Sequence, residues 1–269
     1  MSGALDIAAA QAELARIRSE RRQRQIVVVA GLIVFLAAWE IAGRLTNPLF
    51  FAPVSEVARE FVNALLDPRA RLLNGLVETL GVLVPGFLIA CVLGVALGVL
   101  MGRSELAYHI LDPHVTILYN TPRVALIPIL LLWMGVGDLL KIVIVVLAAI
   151  FPVSVNTMVG VRDVSAQFTE PARSMRATER QLLWKVILPA TFPFIIAGIK
   201  LALGRALTTV IVAEFFVSVS GLGGVLQAAS SSYQMARMFA PVIILAAMGI
   251  ALDGALTYFE RSMLRRYRS

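Results

Sequence analysis

The sequence predicts an all-α membrane protein with six transmembrane helices, on three observations. Hydrophobic residues make up 59% of the chain and charged ones only 15%, with a mean hydropathy of +0.84. That balance belongs to polytopic membrane proteins rather than soluble domains. Six stretches stay apolar for about twenty residues, the length that crosses a hydrocarbon core. Arginines gather at the ends of those stretches, as orientation signals do. The net charge of +7 therefore forms no separate basic domain, and it does not point to nucleic acid.

In chain order, residues 1–25 are polar and arginine-rich, with no apolar core of a cleavable signal peptide before the first span at 26–43. Residues 44–79 form an outer segment. Within it Pro53 and Ser55 mark a helix start, and Val57, Phe61 and Leu65 recur at helical spacing opposite Glu56, Arg59, Glu60 and Asn63. Such a helix is expected to lie flat at the outer interface, or to touch a binding protein. Glu40 and Arg44, four apart, are expected to pair.

Residues 80–258 hold five further spans, at 82–101, 112–134, 139–160, 190–213 and 239–258, and 259–269 form a tail. The second span carries no charge, and its Gly94 and Gly98 suit close helix contact. The third contains Arg123 between Pro122 and Pro128, and the fifth contains Lys200 and Arg205. A charge facing lipid costs about 3 kcal/mol, so both spans are expected to sit inside a bundle.

Counting lysine and arginine orients the chain. With the N-terminus inside, the inner segments carry fifteen and the outer ones six, among them Lys141. The expectation is a multi-pass membrane protein with both termini cytoplasmic.

Between the fourth and fifth spans lies a polar break, 161–189. Thr169 is expected to cap a helix starting at Glu170 and Pro171, where a missing N–H costs nothing. Thr178 and Gln181 form a capping box for a second helix, with Leu182, Leu183, Val186 and Ile187 as its apolar face. Two capped helices joined by a bend would make a compact knob leading through Pro189 into the fifth span.

This break resembles the EAA loop of binding-protein-dependent ABC importer permeases. The match rests on Glu170, Ala172, position 176, and Val186-Ile-Leu188-Pro189. Asn120-Thr-Pro-Arg-Val-Ala-Leu-Ile-Pro128, Trp133-Met-Gly135, Leu201-Ala-Leu-Gly-Arg205, Val212-Ala-Glu214 and Ser220-Gly-Leu-Gly223 are similar to the branch serving nitrate, sulfonate, taurine and related acids. The resemblance implies a type I (MetI-like) importer fold and an ATPase-coupling loop carried by Glu170, Ala172, Arg176, Ala177, Leu188 and Pro189. It also implies two ATPase subunits, a periplasmic or lipoprotein binding protein, and a second permease chain of the same kind. Solutes such as vitamin or pyrimidine precursors fit the same pattern. Pro171 stands where the family has alanine. Arg176 stands where it has glycine, at a cost of roughly 1–2 kcal/mol if the bend is left-handed.

Other residues carry less. Ser220-Gly-Leu-Gly-Gly224 lacks the lysine and hydroxyl of a phosphate loop and reads as a flexible turn. ATP and magnesium would therefore belong to the partner ATPase, with no catalytic residue or cofactor in this chain. His109 and His114 lie about 140° apart on a helix, an unsuitable pair for a metal. Cys91, the single cysteine, reads as a small apolar residue. Asn120, Arg123, Lys200, Arg205 and Glu214 are candidates for an anion pathway, against structural pairing with helix ends or carboxylates. Glu214 and Asp253 sit towards span ends, which argues against an ion-driven secondary transporter. A membrane scaffold without transport is the other class.

Overall fold

The computed structural model describes the backbone of residues 2–164, 166–217 and 220–268, with side chains from Glu20 to Met263 apart from 68, 165–168 and 218–219. Among the described residues every regular element is helical. Five helices are long and apolar enough to cross a membrane, six if one sharply bent pair counts as a span.

Helix α1 (Ser2–Leu45) runs unbroken from the polar terminal segment through the first apolar stretch. Nearly all of its described surface is exposed, and its C-terminal end is held by two adjacent residues. Trp39 Nε1 donates to the Ala52 carbonyl at 3.0 Å, and the ring lies 5.3 Å from that of Phe239. Glu40 forms the expected pair with Arg44 at 2.7 Å. Its carboxylate also accepts the N–H and hydroxyl of Ser55 at 2.9 and 2.8 Å. Ser55 thus lies in the first turn of α2 (Val54–Leu66), after the extended Pro53. A carboxylate there meets unpaired N–H groups and the positive end of the helix dipole.

The amphipathic pattern of α2 is present, with Val57 and Ala64 buried and Phe61 half-buried. Most of its apolar face is covered, with Leu65 left exposed. Met235, Ala236, Phe239 and Ala240 of α11 (Met235–Arg268) cover it.

The core is three helices: α3 (Leu72–Arg103), α6 (Asp138–Asp163) and α9 (Leu188–Val217). On α3, Gly86, Ala90, Gly94, Gly98 and Gly102 recur every fourth residue and so share one face. A methyl group at Gly94 would lie 2.7 Å from Val153 Cβ, and at Gly98 2.5 Å from the Ser154 carbonyl oxygen. The expected pair is therefore part of a five-residue seam. On the other side of α6, Gly198 meets Asn156 and Pro152, and Gly160 meets Phe194. Val145, Ala149, Val153, Ala202, Ala206 and Val210 are fully buried between the three helices. Cys91 packs against the same core as a small apolar group.

Two boundaries depart from expectation. α3 begins ten residues before position 82, because Leu72, Leu76 and Leu80 already turn an apolar face into the core. The third expected span is not one helix. α4 (Glu105–Asn120) ends, a 3-10 turn covers Arg123–Leu126, and α5 (Ile127–Met134) leaves at 89°. The cause is Pro122: the residue before a proline is driven out of helical geometry, and Thr121 is extended at φ −67°, ψ 131°. α5 then stops at Gly135, at φ 71°.

Gly98→Ala should destabilise the seam by about 1–3 kcal/mol, since neither the Ser154 carbonyl nor Thr157 Cβ can yield without moving α6. Thermal unfolding in detergent would show it, with Gly204→Ala near neutral because nothing lies within 4 Å of its added methyl. Equal midpoints for the two variants would contradict the seam.

Candidate functional site

The polar break folds as the expected knob, with one change in how it starts. α7 (Ala166–Ser174) begins before Thr169, so Thr169 lies inside the helix rather than capping it, and Pro171 sits at the sixth position. A proline there removes one N–H bond to position 167, and the helix gains most of a turn ahead of it.

The end of α7 explains position 176. Ala177 N–H bonds the Ala172 carbonyl at 3.0 Å and Arg176 N–H bonds the Arg173 carbonyl at 2.9 Å. These are the two bonds of a Schellman ending, which places the left-handed residue at Arg176. Its φ is indeed +57°. Ala172 and Ala177 stand at the two ends of the longer bond, where small side chains close the corner.

The second helix, α8 (Glu179–Leu182), opens on the expected capping box. Gln181 N–H donates to Thr178 Oγ1 at 3.2 Å, and Thr178 N–H donates to Gln181 Oε1 at 2.9 Å. One π turn, Leu183–Ile187, joins α8 directly to α9. There Leu188 N–H reaches back to the Leu183 carbonyl, a wider turn that accommodates Pro189, which has no N–H and crowds the preceding turn. The second helix of the knob and the span are thus one continuous rod. Leu182 and Ile187 are buried against Val161, with Leu183, Val186 and Ala172 beside them.

Charges brace the knob in ways the sequence pattern did not reveal. Glu179 takes an ion pair from Arg103 at the end of α3 and a second from Arg173 at 3.5 Å. Arg162 pairs with Glu105 at 2.6 Å and lies 4.0 Å from the Tyr108 ring centroid. Among the residues facing outward are Glu170, Arg176, Arg180, Lys185 and two large apolar side chains, Met175 at 84% and Trp184 at 64% exposure. Leu188 and Pro189 are half-buried at the start of α9.

The candidate pathway residues separate into three groups. Lys200 pairs with Glu260 of α11 at 2.6 Å. Arg123 and Arg205 converge on Tyr119. Arg123 donates to the Tyr119 carbonyl and Arg205 to its hydroxyl, each at 2.8 Å, with guanidinium carbons 5.8 and 4.5 Å from the ring centroid. Asn120, exposed beside them, donates to the Thr116 carbonyl at 2.8 Å. His114 Nδ1 meets the Ile110 carbonyl, and His109 faces Glu105.

Glu214 is fully buried, so in this conformation it lines no open path. It forms part of a lock at the far end of the bundle from the knob. The glycine-rich stretch is not a flexible turn but the start of α10 (Gly221–Ser231). Gly221 N–H donates to Glu78 at 2.6 Å, Leu222 N–H to Thr79 Oγ1 at 2.9 Å, and Gly223 N–H to Glu214 at 3.0 Å. Thr79 in turn donates to Glu214 at 2.9 Å. Two carboxylates and a hydroxyl thus satisfy three orphan N–H groups of one helix start. Only glycine fits at 221: its φ is +77°, and a Cβ would stand 2.0 Å from Glu214 Oε1. Lys141, buried, bonds Asp138 at 2.8 Å and Ser220. It is a strut of the lock rather than a free orientation charge. Beside the lock opens a cleft of about 320 Å³ lined by Arg71, Glu78, Gln234 and Arg237.

Comparison with known proteins identifies the family and the fold. Residues 91–265 match the family described as "Binding-protein-dependent transport system inner membrane component". The putative aliphatic sulfonates transport permease protein SsuC of Bacillus subtilis is 38% identical over 180 residues, 67% of this chain and 65% of that one. The taurine transport system permease protein TauC of Escherichia coli is 28% identical over 89% of this chain and 90% of its own length. Among solved structures, the MetNI methionine ABC transporter, in an inward-facing form, aligns with a TM-score of 0.57 at 21% identity. That alignment covers 71% of this chain and 94% of that one, and it shows the fold.

Two outcomes follow. Arg176→Gly should relieve the left-handed strain and raise stability by about 1 kcal/mol, read as a higher unfolding midpoint with the knob intact; a lower midpoint would mean the arginine makes a compensating contact. Glu214→Ala should lower stability by about 3 kcal/mol, because Thr79 and Gly223 lose their acceptor. Gly221→Ala should be at least as damaging. A Glu214→Ala protein that unfolds like wild type would remove the lock from the account.

Proposed function

This chain belongs to the family of binding-protein-dependent transport system inner membrane components, and we propose how it works within such a machine. It is the permease subunit of an ABC importer, and ATP is hydrolysed by a separate ATPase. In our reading two permease chains of this kind enclose a central path, each carrying one ATPase on its knob. A binding protein delivers a small organic or inorganic acid at the opposite face. The sulfonate and taurine relatives support that solute class.

The observation that carries the reading is the knob's continuity with α9. The capping box, the π turn and Pro189 carry α8 into α9 as one unbroken helical run from Glu179 to Val217. The Arg103–Glu179 ion pair and the Val161–Leu182–Ile187 cluster tie the same rod to α3 and α6. A knob that is braced yet presents Met175, Trp184, Glu170 and Arg176 outward is suited to a protein partner, since exposed large apolar groups of this kind mark docking surfaces.

Closure of the ATPase pair on ATP would press both knobs and tilt both α9 helices, opening the path outward. In energetic terms the nucleotide favours one of two conformations by its differential affinity for them. The lysine and arginine balance supports placing the knob and both termini in the cytoplasm.

Glu170→Lys should insert into the membrane at wild-type levels while retaining less ATPase on co-purification and losing uptake. Full ATPase retention with normal transport in that variant would overturn the coupling assignment.

A further inference from the structure

Four cations lie within the expected spans, and two of them are neutralised by carboxylates. Lys141 has Asp138, and Lys200 has Glu260. Arg123 and Arg205 have no carboxylate partner among the described residues. Instead they share the hydroxyl, the carbonyl and the ring of Tyr119. Arg123 Nε is buried with no acceptor. Two guanidiniums drawn together in a membrane protein repel each other and forgo hydration, so the arrangement needs a negative group that the chain does not supply.

The surroundings leave room for one. Thr121 to Val124 form the break between α4 and α5, and irregular backbone within a membrane persists only where it is buried in protein or lines an aqueous cavity. Pro122, Val124 and Asn120 are exposed. On α9 the residue preceding Arg205 is Gly204, with open space where a side chain would stand, and Thr208 is exposed one turn further. The exposed faces of the break and of α9 are therefore both open beside the two guanidiniums.

We propose that Arg123 and Arg205, positioned by Tyr119, form a binding site for a small oxyanion in transit, a sulfonate or a similarly sized acid. The inference rests on the importer reading and adds where along the path the charge of the solute is met. Guanidinium forks give charge-assisted, paired hydrogen bonds to such groups. Sharing the load between two arginines on different helices lets the site loosen when α9 tilts relative to α4. Lys200 and Glu214 lie outside it, one paired and the other buried. Tyr119 is a positioning residue here: its ring and hydroxyl set where the Arg205 fork points.

The test is side-chain chemistry on the wild-type permease–ATPase complex in detergent without added lipid. Phenylglyoxal labels reachable arginines, and peptide mass spectrometry reads Arg123 and Arg205 against the exposed Arg44 as reference. Methanesulfonate at roughly ten times its dissociation constant should slow labelling of both by about tenfold, leaving Arg44 unchanged. Tyr119→Phe should weaken that protection, and Arg205→Gln should abolish it at Arg123. Arg205→Lys, which keeps the charge, should retain part of it even if the neutral variant does not fold. Labelling of both residues that ignores methanesulfonate, or no labelling at all, would overturn the site. Protection by phosphatidylglycerol but not methanesulfonate would assign the arginines to a lipid headgroup and overturn it equally. A complex that binds and stimulates its ATPase yet shows no protection would sink this site alone, whereas loss of the ATPase partnership would sink the importer reading.

Discussion

The structure depends on how closely α3 approaches α6. Between helices in lipid there is no hydrophobic driving force, because the tails are as apolar as leucine; association rests on dispersion and on backbone proximity. Gly86, Ala90, Gly94, Gly98 and Gly102 bring the two backbones together along five turns, and Val145, Val153, Thr157 and Val161 fill the space that larger side chains would occupy. α9 then closes on the opposite face of α6 through Gly160 and Gly198. Three helices become one body, and every functional feature hangs from it.

The two ends of that body are tied by different physics. At the knob end the polar links are ion pairs with exposed partners, Glu179 with Arg103 and Glu105 with Arg162, beside the buried cluster of Val161, Leu182 and Ile187. Such pairs contribute little stability each and are screened by salt, so they steady a surface that must still move with a partner. At the lock end the links are buried. Glu214, Thr79 and the N–H groups of Leu222 and Gly223 satisfy one another away from solvent, and breaking any one strands a buried polar group. A stiff lock end and an adjustable knob end suit a lever driven from the knob.

Much of this was legible in the sequence. The apolar spans, the capping box at Thr178 and Gln181, the apolar face of α8 and the strained position at Arg176 all follow from local rules. Those rules act within one turn of helix, and tertiary context left them intact. The EAA-like pattern led to the knob for the same reason. What local pattern could not supply is partnership across distance. Glu214 looked like a pathway group, whereas its acceptor oxygens are filled by Thr79, 135 residues away, and by Gly223. The glycines at 221 and 223 looked like slack, yet they exist to admit that carboxylate. Arg123 and Arg205 could be named as buried cations, but nothing in their spacing showed that both would settle on Tyr119. Thr169 failed as a cap because the helix could extend past Pro171 at the cost of a single bond. The third span failed as one helix because Pro122 acted as a break rather than a kink.

The central claim is that the water-facing knob is the seat of a separate ATP-hydrolysing subunit, carried rigidly by α9. The most direct measurement places a photocrosslinking amino acid at Met175 in native membranes containing the whole transporter. Irradiation should join this chain to its ATPase, with the yield changing when nucleotide is added. Crosslinks only to lipid or to an extracytoplasmic protein would contradict the claim.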